Sequence, residues 1–194
     1  MTKISSLCVF CGSKNGEDPA HKAAAGRLGQ HMAERGITLV YGGGCIGLMG
    51  VLSDAVLAGG GHVIGIIPEF LKDMEVGNHA VSELIITNSM HERKTRMFEL
   101  SDGFVVLPGG LGTLDETLEI VTWKQLRLHS KPIVMLNTGG YWSALQDLVR
   151  RTIDGGFAHP AVEELFTMVD GADDVFPALE AQPEPKDEVL TSHL

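Results

Sequence analysis

The sequence predicts an α/β fold: a Rossmann-like open, mostly parallel sheet of about seven strands, with helices on both faces. Two observations predict it. Short runs rich in Val, Ile and Leu recur with little polar alternation, as strands covered on both faces require. Longer segments with helical spacing fill the gaps, so strand and helix alternate along the chain.

The elements follow in order. Ser6–Phe10 is the first strand. Asp18 then offers a helix N-cap, Pro19 takes the first helical position, and Gly36 follows the helix end. Thr38–Tyr41 is a strand, Gly47–Ala58 a helix, His62–Ile67 and Glu83–Thr87 strands, and Met90–Ser101 a helix. Gly103–Leu107, Pro132–Leu136 and Phe166–Val169 complete the strands, separated by helices at Leu114–Leu128 and Tyr141–Asp154 and followed by one at Ala172–Ala178. The Leu114–Leu128 helix is apolar nearly all round, through Leu114, Leu118, Ile120, Val121, Trp123 and Leu126. Such a helix should be buried, in part by a second subunit. The 194-residue length suits one domain over residues 1–180, with 181–194 a flexible tail holding Pro183, Pro185 and four charges.

Composition excludes several function classes. Lys and Arg number 15 against 25 Asp and Glu, a formal net charge of −10, and phosphate backbones demand a basic surface, so nucleic acid is not a partner. No stretch approaches the ~18 uninterrupted apolar residues of a membrane span. The apolar run of the N-terminus breaks at Gly12 and reads as a strand rather than a signal peptide. Three cysteines argue against a disulfide framework and fit a cytoplasmic protein. Cys8 and Cys11 have C-x-x-C spacing, but three positions apart on a strand they face opposite ways, which suits core packing. The eight histidines show no ligand spacing, and His91-Glu92 lacks a second His, so no metal is expected. The 24 glycines exceed the ~14 expected at the usual ~7% and show no collagen-like period, so they must serve turns and close backbone approaches.

In such a sheet, ligands sit beyond the carboxyl ends of the strands. Four turns there carry candidate chemistry. Pro108-Gly109-Gly110-Leu111-Gly112-Thr113-Leu114-Asp115-Glu116 follows a strand and opens a helix. Its glycines let backbone N–H groups and the positive helix end meet a phosphate, and Thr113 adds a hydroxyl. Thr113-x-x-Glu116 is equally a capping box, in which Glu116 serves the helix start. In Ser89-Met90-His91-Glu92-Arg93-Lys94, a second capping box assigns Glu92 to structure. Met90, Arg93, Lys94 and Met97 share one helix face, and two cations in an apolar stripe point to a buried anion or a cleft. Tyr41-Gly42-Gly43-Gly44-Cys45-Ile46-Gly47 fits G-x-G-x-x-G, with Glu69 about where a ribose-binding acid belongs. That fingerprint normally follows the first strand and here follows the second, yet the turn can line another nucleotide site, with Gly43 at its centre. Gly12-Ser13 ends the first strand, where Ser13 either contacts substrate or merely turns the chain. Glu116 and Glu119 lie to one side of their helix, where carboxylates are costly unless paired or at work. Asp73, Glu75 and His79 form a polar loop that reads as solvated rather than as a lid.

The paired M-H-x-R-K and P-G-G-x-G-T-x-x-E segments, both complete here, resemble those of the Lonely Guy (LOG) phosphoribohydrolases. Cys11-Gly12-Ser13, Tyr41-Gly42-Gly43-Gly44 and Val121-Thr122-Trp123 fit as well, and the resemblance covers about residues 5–180. It implies a Rossmann-like homodimer that hydrolyses the N-glycosidic bond of N6-modified adenosine 5′-monophosphates, or of AMP. The products would be a free base and ribose 5-phosphate, with no cofactor. By motif position it implies Arg93 and Glu116 as the catalytic pair. It implies substrate contacts from Ser13, Gly43, Met90, Lys94, Gly109, Gly110, Gly112, Thr113 and Thr122. Members are often labelled lysine decarboxylases, but the sequence carries no pyridoxal-phosphate pattern. Two other classes compete. One is a non-catalytic nucleotide- or cofactor-binding module, akin to molybdenum-cofactor carriers, which would need the glycine cradle but not the carboxylate. The other is an NAD-dependent oxidoreductase using Gly42, Gly44, Gly47 and Glu69.

Overall fold

A computed structural model describes residues 4–72 and 77–181. The strands are β1 Ser6–Phe10, β2 Thr38–Tyr41, β3 Val63–Pro68, β4 Glu83–Thr87, β5 Gly103–Val106, β6 Ile133–Leu136 and β7 Thr167–Val169. They form one seven-stranded sheet in the order β4-β3-β2-β1-β5-β6-β7, and every neighbouring pair is parallel. The strand ends depart from the sequence reading by no more than a residue. The helices are α1 Pro19–Glu34, α2 Gly47–Ala58, α3 Glu69–Lys72, α4 Met90–Glu99, α5 Leu111–Gln125, α6 Ser143–Asp154 and α7 Val175–Ala181.

Side-chain alternation along β1 builds both layers of the core. Leu7, Val9 and Cys11 pack with Leu28 of α1, Leu52 of α2 and Phe176 of α7. Cys8 and Phe10 pack on the opposite face with Met97 of α4, Ile120 of α5 and Leu145 of α6. The two cysteines therefore do point apart. Short parallel strands buried on both faces need no polar alternation, which is why the chain reads as apolar runs.

Local chemistry sets the helix ends. The Asp18 carboxylate accepts from Ala20 N at 2.8 Å ahead of Pro19. Gly36 stands at φ +64°, and Ile37 N donates to Met32 O at 2.9 Å, closing α1 before β2. Other ends differ from expectation. Helix α4 stops at Glu99, and α3, a single turn, was not anticipated. The helix expected over Tyr141–Asp154 starts at Ser143, after a 3₁₀ turn at Thr138–Gly140. Helix α7 starts three residues late, after a 3₁₀ turn at Ala172–Asp174, and α5 starts three residues early with Gly110 as its N-cap. Glycine's low helix propensity hides this start in the sequence, because Gly112 falls in the first turn.

Within this chain the burial of α5 is one-sided. Its inward stripe is Thr113, Thr117, Ile120 and Lys124, whereas Leu111, Leu118 and Leu126 face outward. The helix is therefore not buried all round within one chain. Among the described residues, no helix is long and apolar enough to cross a membrane.

Candidate active site

The chain leaves β1 toward β2 on one side and β5 lies on the other, so the strand order reverses direction there. Ligand crevices form at such a switch point. Three turns meet beyond it. Gly12 N donates to Pro108 O at 3.0 Å, and Leu48 N donates to Gly12 O at 3.1 Å. Gly47, at φ +63°, lies so close to Ser13 that a Cβ would collide with that residue's backbone. From the side, Tyr141 Oη donates to Gly109 O at 2.6 Å and steadies the Pro108–Gly110 turn. These contacts leave a cleft of about 370 Å³, within the ~300–1,000 Å³ usual for small-molecule sites.

One end of the cleft is the start of α5. Gly110 gives the helix no side-chain cap, and the first N–H groups of a helix have no partner within it. Gly110 and Gly112 both line the cleft, and a Cβ on either would meet nothing within 4 Å. Protein packing therefore does not require glycine at these two positions. What they leave open is the approach to unpaired N–H groups at a positive helix end, which suits a phosphate. Thr113 is the third helical residue rather than an N-cap, so Thr113-x-x-Glu116 is not a capping box. Its buried side chain fills the space beside Gly109, where a Cβ would collide with it.

The floor of the cleft carries Arg93 and Glu116. Arg93 is 5% exposed. Its Nε donates to Ile66 O at 3.0 Å, and its Nη2 to Gly42 O at 2.8 Å. Two strand ends thus aim the guanidinium, which Lys could not match with one ammonium. Ser89 caps α4 by accepting from Glu92 N at 3.1 Å. Glu92 reaches back to Asn88 N at 2.8 Å rather than to Ser89, so it is structural, as expected. Glu116 is half-buried in the second turn of α5. Behind both lies Cys8, whose thiol is pushed up first by burial and then by the Glu116 charge, while Arg93 pulls it down. Opposite charges therefore line one cleft and both act on the buried thiol behind it.

Comparison with known proteins bears on this geometry. A family model described as "Possible lysine decarboxylase" matches residues 49–179. Arabidopsis thaliana cytokinin riboside 5′-monophosphate phosphoribohydrolase LOG7 is 41% identical over 193 residues, covering 100% of this chain and 88% of that protein. Arabidopsis LOG3, of the same name, is 44% identical over 179 residues, covering 92% and 83%. The chain belongs to this LOG family. Solved structures add the fold. A molybdenum cofactor binding protein from Rippkaea orientalis superposes with a TM-score of 0.68 at 22% identity, covering 93% of this chain and 98% of that one. The Moco carrier protein of Chlamydomonas reinhardtii gives 0.69 at 21%, covering 92% and 96%.

The residues picked out by the LOG motifs do not all reach the cleft. Ser13, Met90, Arg93, Gly110, Gly112, Thr113 and Glu116 line it. Gly43 and Gly109 sit behind its wall, where they let Ile66 and Thr113 pack close. Lys94 turns away and pairs with Glu119 at 2.9 Å and Asp115 at 3.2 Å. Burial opposes its ammonium, but those two carboxylates outweigh burial and hold its pKa above the ordinary value. Lys94 thus joins α4 to α5. Thr122 is exposed, and its Oγ1 donates to Leu118 O at 2.7 Å. It lies on the outward stripe of α5, away from this chain's cleft.

Glu69 is outside the lining and is loosely paired with Lys72 at 3.9 Å. In the G-x-G-x-x-G turn, Gly42 lines the cleft and Gly44 bridges to Gly77. His79 is exposed, while Asp73 and Glu75 lie outside the described residues. Sequence reasoning missed Met49 and Leu71, which line the cleft, and Tyr141, which steadies the Pro108–Gly110 turn. No local pattern marks them, because each reaches the site from another element.

Proposed function

We propose that this chain hydrolyses the N-glycosidic bond of N6-modified adenosine 5′-monophosphates, releasing a free cytokinin or adenine base and ribose 5-phosphate. One observation carries the reading: Arg93 and Glu116 share a single cleft with the uncapped start of α5. The phosphate docks on the N–H groups of Gly110, Gly112 and Thr113, and this remote contact orients the reacting carbon. Breaking the ribosyl C–N bond builds positive charge on the sugar, as in glycoside hydrolysis. The Glu116 carboxylate, one helical turn from the phosphate, stabilises that charge and draws a proton from the attacking water. Arg93 holds the ribose and orients Glu116. Met90 borders the base. No metal or redox group enters the scheme.

The same reading makes the enzyme a cytoplasmic homodimer. Its support is the outward stripe of Leu111, Leu118 and Leu126, which are 84%, 46% and 54% exposed. Apolar area of this kind marks an interaction surface, and Thr122 on that stripe would reach a substrate only across such an interface.

The test is a product assay. The protein is incubated with AMP and with N6-isopentenyl-AMP, the matching nucleosides serve as controls, and free base is followed by chromatography. Base should appear from the monophosphates alone. Glu116→Gln should abolish release while leaving AMP affinity within about tenfold, or ~1.4 kcal/mol. Tight AMP binding without release by the parent protein would favour a binding module instead.

A further inference from the structure

Arg93 depends on a carbonyl that belongs to a flexible type of sequence, three glycines in a row. Gly42 O accepts from Arg93 Nη2 at 2.8 Å. The next carbonyl along the chain, Gly43 O, accepts from Asn78 N at 2.8 Å. Successive carbonyls of one turn therefore hold the arginine on one side and Asn78 on the other. Gly43 stands at φ +77°, a conformation that glycine adopts freely and does not itself enforce. Something else must keep the turn in place.

Asn78 does so with its backbone N–H and both ends of its side-chain amide. It is 5% exposed. Its Nδ2 donates to Ser53 Oγ at 3.2 Å, and its Oδ1 accepts from Ala80 N at 3.0 Å. Ser53, fully buried in α2, donates in turn to Gly50 O at 3.1 Å. Gly50 packs directly on the Cys45 carbonyl, at the far end of the same turn. The antiparallel bridge of Gly44 with Gly77 closes the clamp. Tyr41 lies beneath, its hydroxyl pushed up to about 12 by burial, with Ser53 and Asn78 beside it. A buried polar network in which the Asn78 and Ser53 side chains are both paired favours one arrangement of the chain around it.

We propose that Asn78 is a positioning residue for Arg93, holding the Gly42–Gly44 turn so that the Gly42 carbonyl fixes the guanidinium in the cleft. The inference rests on the reading of Arg93 as part of the reaction centre. Asn78 touches no substrate, and its effect passes through the turn. Displacing a reacting group by a fraction of an ångström costs rate far more than it costs fold.

Two readouts test this. The first is the Arg93 Nε–H resonance in ¹⁵N-labelled protein, assigned by its disappearance in Arg93→Lys. Asn78→Ala should shift this signal and speed its exchange with solvent by about tenfold. Val134→Ala, a core truncation in β6 that lowers stability without touching the turn, should leave the signal unchanged. The second is turnover of N6-isopentenyl-AMP. Asn78→Ala should lower kcat about tenfold with KM within about twofold, and Val134→Ala should change neither at a temperature where both variants are folded. An unmoved resonance in Asn78→Ala overturns the proposal, as does an equal shift in Val134→Ala or a moved resonance with kcat intact. If the parent protein releases no base, the functional reading fails, and the resonance alone still decides whether Asn78 positions Arg93.

Discussion

Gly112 and Lys124 sit on the same helix and show how burial and function separate at single residues. Gly112 faces open space in the cleft, so the fold tolerates a methyl there. Gly112→Ala should leave Tm unchanged or slightly higher, because alanine suits a helical position by up to ~1 kcal/mol. It should weaken AMP about tenfold, by narrowing the approach to the helix N–H groups. A calorimetric titration beside a thermal melt reads both, and equal losses in the two would return Gly112 to a structural role. Lys124 has no exposure at all, and burial pushes its ammonium down to about 8. The unfolded chain keeps the ordinary ~10.4. Folding therefore releases a proton between about pH 8 and pH 10.4, and stability rises with pH across that window. Lys124→Met should melt a few degrees above the parent at pH 7, where ~1 kcal/mol is worth about 2–4 °C in a chain of this size. The advantage should shrink as pH approaches 10. A lower Tm at pH 7 would mean that the ammonium's own contacts outweigh its desolvation.

Helices α4 and α5 each carry one member of the Arg93–Glu116 pair, so their separation matters more than either helix alone. Lys94 spans them, 17% exposed, with Glu119 25% exposed opposite. Asp115 is 60% exposed and contributes little. Lys94→Met should cost about 1–2 kcal/mol of stability, because Glu119 loses its partner in a half-buried place. It should lower kcat while leaving AMP affinity nearly intact, and Lys94→Arg should restore much of the rate. A loss confined to AMP affinity would instead make Lys94 a substrate contact, as the family motif implies. The sequence made the α4 stripe legible, since Met90, Arg93 and Met97 do share a cleft-facing side. It did not show where Lys94 would go, because its partners lie 21 and 25 residues along the chain. The Thr113-x-x-Glu116 spacing fits a capping box that does not form, for a related reason. The start of α5 depends on Gly12 and Tyr141, which hold the Pro108–Gly110 turn from other elements.

In the whole molecule, the sheet order places the cleft between β1 and β5 and leaves the leucine stripe of α5 facing out. Closed pairing of identical patches is the simplest way to cover such a surface. Leu118→Asp should halve the mass seen by analytical ultracentrifugation at micromolar concentration without changing the far-UV circular dichroism. A parent protein that sediments as a monomer would remove the dimer from the proposal.

Strand and helix periods, the Asp18-Pro19 start, the Gly36 stop and the two motifs were all legible in the chain, because each is written by neighbours a few residues apart. Length and apolar runs sufficed for a seven-stranded parallel sheet. Only the tertiary structure decided that Lys94 clamps two helices, that α5 turns threonines and a lysine inward and leucines outward, and that Asn78 braces the turn holding Arg93. Those outcomes depend on contacts between residues far apart in sequence. They are set by which groups must share a dry interior, and local patterns carry no record of that.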